Sequence, residues 1–363
     1  ERTPFDGLDG AGDDRFDAWL QGEREDARTA RIVALRLLAS HSGLAAGEAE
    51  KWRRLWRAED PEGEAAAPRP GAAEALAPPQ ALKSQRIGYC AARDGVKIAY
   101  AVVGEGPPLL KAANWLNHLE LDWSSPIWGR SFAALAAART FIRYDERGCG
   151  LSDWEVDDLG FDAFVADLEA VADRLELERF PLLGVSQGAA VSIEYAARHP
   201  ERVSGLILLG GYAAGWRRLM GPEEQARREA VIRLTEVGWG ADNPAYRHIF
   251  SQTFMPDAPA EALAWFDDFQ RHTASPKNAA RFQQAFGEID VRPRLAEVRA
   301  PTLVLHSAQD QRIPIEQGRM LAEGIPGARF LPLESRNHIL VDDEPAWRTC
   351  VDAIADFLAV NGI

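Results

Sequence analysis

The sequence predicts an α/β protein: a mostly parallel central sheet flanked by helices, with a helical insertion that forms a cap and a helical amino-terminal extension. Three observations carry that expectation. Short apolar runs bounded by turn residues recur along the chain, as in Leu206-Ile207-Leu208-Leu209, and have the length and composition of buried strands. One such run, Phe180 to Val185, passes straight into Ser186 and an Ala-rich helical stretch, so Gly184-Val185-Ser186-Gln187-Gly188 stands at a strand-to-helix corner. About ninety residues then separate the Leu209 strand from the one beginning at Thr302, far beyond an ordinary connection, and they read as several helices.

Residues 1–60 read as helical. Phe16, Trp19 and Leu20 fall at i, i+3 and i+4, a second amphipathic stretch runs from Ile32 to Leu38, and Trp52, Leu55 and Trp56 make a third apolar face. Asp13-Asp14 suits the start of the first helix. Residues 61–85, rich in Ala, Pro, Gly and Glu and without periodicity, read as a linker. The core begins at residue 86. Its first part, 86–211, contains the strands Pro108 to Ala113, Phe180 to Val185 and Ser204 to Leu209. Residues 212–290 form the cap, with helices expected over Glu223 to Val237, Pro244 to Phe254, Pro259 to Arg271 and Lys277 to Phe286. The second part of the core, 291–363, holds the strands Thr302 to His306 and Arg329 to Leu333 and a closing helix.

The corner at Ser186 is the feature with chemical content. It forces a strained backbone that lifts the serine hydroxyl clear of the sheet, while Gly184 and Gly188 let strand and helix cross without Cβ clashes. Ser186 is therefore the candidate nucleophile. A serine hydroxyl needs an imidazole to take its proton, and the imidazole needs a carboxylate to fix its tautomer. Asp310 lies just past the carboxyl edge of the Thr302 strand, and His338 follows the polar turn Glu334 to Asn337 after the Arg329 strand. The chain order is then Ser, Asp, His. The competing histidines lack that setting: His199 precedes Pro200 at a helix end, His306 lies within a strand, and His41, His248 and His272 sit on expected helices or their ends. No acid directly follows the Ser204 to Leu209 strand.

On these motifs the chain resembles the α/β-hydrolase family over about residues 86–363. Asp145-Glu146-Arg147-Gly148-Cys149-Gly150-Leu151-Ser152 is similar to that family's D-x-R-G-x-G-x-S turn after its fourth strand, and Asp310 to Pro314 to its acid turn. The resemblance implies a serine esterase with Ser186, Asp310 and His338 as catalytic residues and no metal or organic cofactor. It also implies an oxyanion hole from the amide of Gln187 and one from the loop after the third strand. Where the family commonly shows His-Gly, this chain has Ala113-Asn114, and alignment puts the second donor on the amide of Trp115. Asn114, Trp115, His118 and Trp123 are expected at the substrate pocket; Trp115, Trp123 and Trp128 read equally as aromatic packing beneath the cap. The segment Phe5 to Arg24, notably Phe16 to Glu25, also resembles helical activator domains of bacterial transcriptional regulators, and fits hydrolase modules fused to such regulators.

Composition bounds the rest. With 363 residues, 46% hydrophobic and 26% charged, the chain suits a soluble globular protein, and a net charge of −14 argues against a nucleic-acid partner for it. Three scattered cysteines, Cys90, Cys149 and Cys350, suggest neither a disulfide framework nor zinc, and fit a reducing cytoplasm. No apolar run approaches the about 18 residues of a membrane span. The first residue, Glu1, is not methionine and leaves an upstream segment open. The expected partner is a small-molecule ester or acyl substrate, with homo-oligomers through the amino-terminal helices or cap left open. A lactonase, thioesterase or carbon-carbon hydrolase, or a ligand-sensing module with little turnover, are the alternatives.

Overall fold

The computed structural model describes residues 46–60, 85–342 and 344–363, with single positions between 20 and 39. The chain divides into two compact units, Glu1–Ala77 and Pro78–Ile363.

In the first unit, helix α1 (Ala46–Glu59) turns Trp56 inward against Leu35 and Ala39, with Trp52 and Leu55 partly buried beside it. The 3.6-residue repeat puts those three side chains on one stripe, as the spacing predicts. Arg31 pairs with Glu59 at 3.1 Å. Phe16, Trp19 and the linker residues 61–84 lie outside the described residues.

The second unit is built on an eight-stranded sheet of β1 (Arg86–Ala91), β2 (Lys97–Val103), β3 (Pro108–Lys111), β4 (Thr140–Tyr144), β5 (Phe180–Val185), β6 (Val203–Leu209), β7 (Thr302–Ser307) and β8 (Arg329–Leu333). The spatial order is β1-β2-β4-β3-β5-β6-β7-β8; β2 pairs antiparallel with both neighbours and the rest pair in parallel. The strands at the centre are apolar on both faces because both are covered. Leu182, Leu206, Leu208 and Val304 face one apolar cluster, while the alternating Leu183, Ile207, Leu303 and Leu305 face the other. Helices α3 (Phe161–Arg174), α4 (Gln187–Arg198) and α10 (Ile315–Gly324) supply the first cluster through Phe164, Ile193 and Leu321. Helices α2 (Gly129–Ala136) and α11 (Pro345–Val360) supply the second through Phe132, Ile354 and Phe357.

Between β6 and β7 the chain leaves the sheet for five α-helices, α5 (Trp216–Leu219), α6 (Pro222–Gly238), α7 (Ala245–Phe254), α8 (Ala260–Thr273) and α9 (Pro276–Glu288), and returns through a 3-10 turn, Arg292–Glu297. Four match the expected helices to within two residues; the one-turn α5 is too short to show a period. Pro222 and Pro276 open α6 and α9, where a missing N–H costs nothing, and the Ser275 hydroxyl caps α9 by accepting from the Asn278 amide at 3.2 Å. Among the described residues, no helix is long and apolar enough to cross a membrane.

Candidate active site

β5 delivers Ser186 to the carboxyl edge of the sheet, and α4 starts at the next residue. Ser186 holds φ 53° and ψ −123°, a conformation that costs a non-glycine residue of order 1–3 kcal/mol. The surrounding fold fixes it: the Ser186 amide donates to the Leu209 carbonyl of β6 at 2.9 Å. A Cβ at Gly184 would come within 2.6 Å of Ala189 Cα, and one at Gly188 within 2.7 Å of the Ala113 carbonyl oxygen, so both crossings demand glycine.

Three side chains meet at this edge. His338 Nε2 lies 2.9 Å from Ser186 Oγ, and His338 Nδ1 lies 2.7 Å from Asp310 Oδ2. The other carboxylate oxygen of Asp310 accepts the amides of Arg312 at 2.8 Å and Ile313 at 3.0 Å. Burial works to raise the Asp310 pKa, but the His338 charge and these hydrogen bonds prevail and hold it below the ordinary carboxylate range. His306 comes within 3.7 Å of Asp310 but bonds through Nε2 to the Ile313 carbonyl, and burial pushes its pKa down. His199 and His248 pair instead with Glu169 and Asp267.

The loop after β3 brings Trp115 to the same edge, where its amide donates to Gln187 Oε1 across a long 3.4 Å; the Gln187 side chain donates in turn to Glu146 at 2.8 Å. Gln187 opens α4, so its own amide belongs to the turn that has no helical carbonyl to bond. The Asp145 to Ser152 turn braces this loop from below. Asp145 accepts from Asn117 Nδ2 at 2.7 Å and from the amides of Leu119 and Leu151 at 3.2 and 2.8 Å, and Arg147 ties the turn to Asp167 of α3.

Two cavities open on Ser186. The smaller, about 130 Å³, runs into the core between Leu183, Val185, Phe132, Trp347 and Ile354, with Asn114 on its wall. The larger, about 530 Å³, lies under α6 and α7 and is lined by Gln187, Tyr212, Tyr246, Arg312 and Gln317. Trp115, Phe250 and Phe254 border both.

Of the four residues expected at the pocket, Asn114 and Trp115 line it and His118 and Trp123 do not. The His118 ring accepts the amides of Glu120 and Leu121 and so caps the short turn that follows it. Trp123 is buried beneath Phe132 and the Arg143 guanidinium and bonds through its indole to Gln85. Side-chain direction in an irregular loop is set by partners distant in sequence, which composition alone does not reveal. Sequence reasoning also missed Gly210 at the end of β6, where a Cβ would stand 3.2 Å from the His338 ring, and Phe254, whose carbonyl accepts the His338 amide at 2.7 Å.

A sequence profile described as the alpha/beta hydrolase fold matches residues 116–345. The chain belongs to the α/β-hydrolase family. Within this family it is similar to the AB hydrolase superfamily protein YisY of Bacillus subtilis, 28% identical over 254 residues that cover 69% of this chain and 91% of that one. It is 27% identical over 267 residues to 3-oxoadipate enol-lactonase 2 of Acinetobacter baylyi, covering 71% of this chain and 93% of the other. Among solved structures it resembles an esterase from Exiguobacterium antarcticum, with TM-score 0.64 and 24% identity over 75% of this α/β hydrolase and 98% of the esterase.

Proposed function

We propose that the protein is a serine hydrolase that cleaves carboxylic esters through an acyl-enzyme, with Ser186, His338 and Asp310 as its catalytic triad. The observation that supports this reading is the continuous hydrogen-bonded line from Ser186 Oγ through both ring nitrogens of His338 to Asp310, at the mouth of two cavities.

In this mechanism His338 Nε2 takes the proton as Ser186 Oγ attacks the ester carbonyl. Asp310, kept ionised by its lowered pKa, accepts the Nδ1 hydrogen bond and stabilises the imidazolium. The amides of Gln187 and Trp115 receive the oxyanion; the long Trp115 bond to Gln187 Oε1 is weak enough to be exchanged for a negatively charged oxygen. His338 returns the proton to the departing alcohol, and water repeats the sequence on the acyl-enzyme. The helical insertion acts as a cap that excludes water and shapes the larger cavity. A lactone is a cyclic ester and fits the same steps, and similarity to an enol-lactonase favours including lactones in the substrate class.

Hydrolysis of short p-nitrophenyl esters, followed at 25 °C, tests the proposal. Ser186→Ala is expected to lower kcat by about 10⁴-fold or more, and a fluorophosphonate probe to label the wild type at Ser186 in one-to-one ratio. Equal turnover by wild type and Ser186→Ala, or no labelling at Ser186, would refute it.

A further inference from the structure

Arg312 follows Asp310 by two residues, and its backbone amide is one of the two that fix that carboxylate. Its side chain goes elsewhere, lining the larger cavity with Ser186. The guanidinium carbon stands 4.6 Å from the centre of the Phe254 ring and 5.4 Å from that of Phe250. Phe254 also packs against His338, ring centre to ring centre at 5.5 Å, so one aromatic side chain separates the cation from the imidazole.

Among the described residues the Arg312 side chain has no hydrogen bond and no ion pair. The two other arginines on the cavity wall differ in this. Arg227 reaches Glu223 at 2.6 Å, and Arg228 reaches Glu224 at 3.4 Å. Glu224 is the one carboxylate among the described residues lining the larger cavity, and it is already engaged by both of these arginines. Stacking on rings satisfies the face of a guanidinium and leaves its five in-plane N–H donors unused. Burial pushes the Arg312 pKa down to about 10, and the charge of Arg228 adds to this, so the cation persists at neutral pH. A half-buried cation with free donors, facing a cavity, is built for an anion, and its planar fork matches a carboxylate.

We infer that Arg312 is a specificity-determining residue that binds a carboxylate on the substrate, so that the protein acts on esters or lactones carrying a free acid group within the larger cavity. The inference rests on the hydrolase reading of Ser186 and deepens it. A neutral ester fits the same cavity but leaves the guanidinium unpaired, whereas an anionic one supplies the missing partner. The discrimination therefore falls on substrate binding more than on the chemical step.

The test compares two matched pairs of esters by proton release: monoethyl adipate against ethyl hexanoate, with the anion on the acyl side, and 4-(butyryloxy)butanoate against butyl butyrate, with the anion on the alcohol side. The wild type is expected to show kcat/KM at least about 10-fold higher for the anionic member of one pair. Arg312→Gln is expected to abolish that ratio mainly through KM, and Arg312→Lys to restore part of it. Equal or lower kcat/KM for both anionic esters would overturn the inference and leave the hydrolase reading standing. If no ester is cleaved, the hydrolase reading fails by itself. Calorimetric titration of Ser186→Ala with both matched pairs then still decides the anion site, because tighter binding of either anionic ester supports it and no preference in either pair refutes it. Should Arg312→Gln fail to fold, the wild-type ratios and that titration settle the question between them.

Discussion

Glu146 is 1% exposed, accepts from the Gln187 side chain through one carboxyl oxygen and, among the described residues, has no hydrogen-bond partner for the other. Burial, opposed by that hydrogen bond, pushes its pKa up to about 8. Its folded-state pKa lies above the unfolded value of about 4.3, so the folded protein holds a proton that the unfolded chain has released. The stability linked to that proton is complete below about pH 4.3 and is lost as pH rises through about 8, with a limiting slope of about 1.4 kcal/mol per pH unit. Glu146→Gln keeps an acceptor for Gln187 and removes the titration. Its melting temperature, measured from pH 5 to 9, is expected to decline less than that of the wild type; parallel curves would show that Glu146 ionises freely in the fold. Asp310 has the opposite sign, its depressed pKa giving stability that is present above about pH 3.9 and lost below it, so the two effects occupy separate windows. Asp310 and His338 could be read from sequence because each sits just past an apolar strand, and parallel strands deliver the loops at their carboxyl ends to one edge. The buried role of Glu146 could not, since its partner Gln187 comes from a different strand-helix unit.

At the scale of elements, the helices of the insertion hold the histidine loop in place. The Phe254 carbonyl at the end of α7 accepts the amides of His338 and Ile339, at 2.7 and 3.2 Å. Asn337, 1% exposed, accepts the Asp257 amide at 3.0 Å and donates to Glu344 at 3.2 Å, so it pins the same loop between the insertion and α11. Asn337→Ala removes both hydrogen bonds, each worth about 0.5–1.5 kcal/mol. The melting temperature should fall and kcat with it, by about 10- to 100-fold, while KM changes less, because the imidazole loses its alignment and the cavity keeps its walls. A lower melting temperature with kcat unchanged would assign Asn337 to stability alone. Four insertion helices were readable from their amphipathic periodicity. The direction of β2 was not, because alternation specifies which side chains are buried and carries no information on which way a strand runs.

For the whole molecule, the division into Glu1–Ala77 and Pro78–Ile363 raises the question of what the first unit contributes to chemistry. Every group assigned to bond making, to the oxyanion, or to the two cavities lies between Lys111 and Ile354. The sheet also closes within the second unit: its edge strand β1 starts at Arg86, and both faces are covered by helices from Gly129 onward. A unit with its own sheet and two apolar clusters has what independent folding requires. A chain beginning at Pro78 is therefore expected to elute as a compact species, melt cooperatively, and hydrolyse p-nitrophenyl esters with kcat/KM within about 3-fold of the full chain. Aggregation of the shortened chain would show that the first unit covers apolar surface the second cannot leave open. A soluble, folded product with kcat/KM reduced far more than this would place part of the first unit in the reaction, and the assignment of all working groups to the second would have to be abandoned.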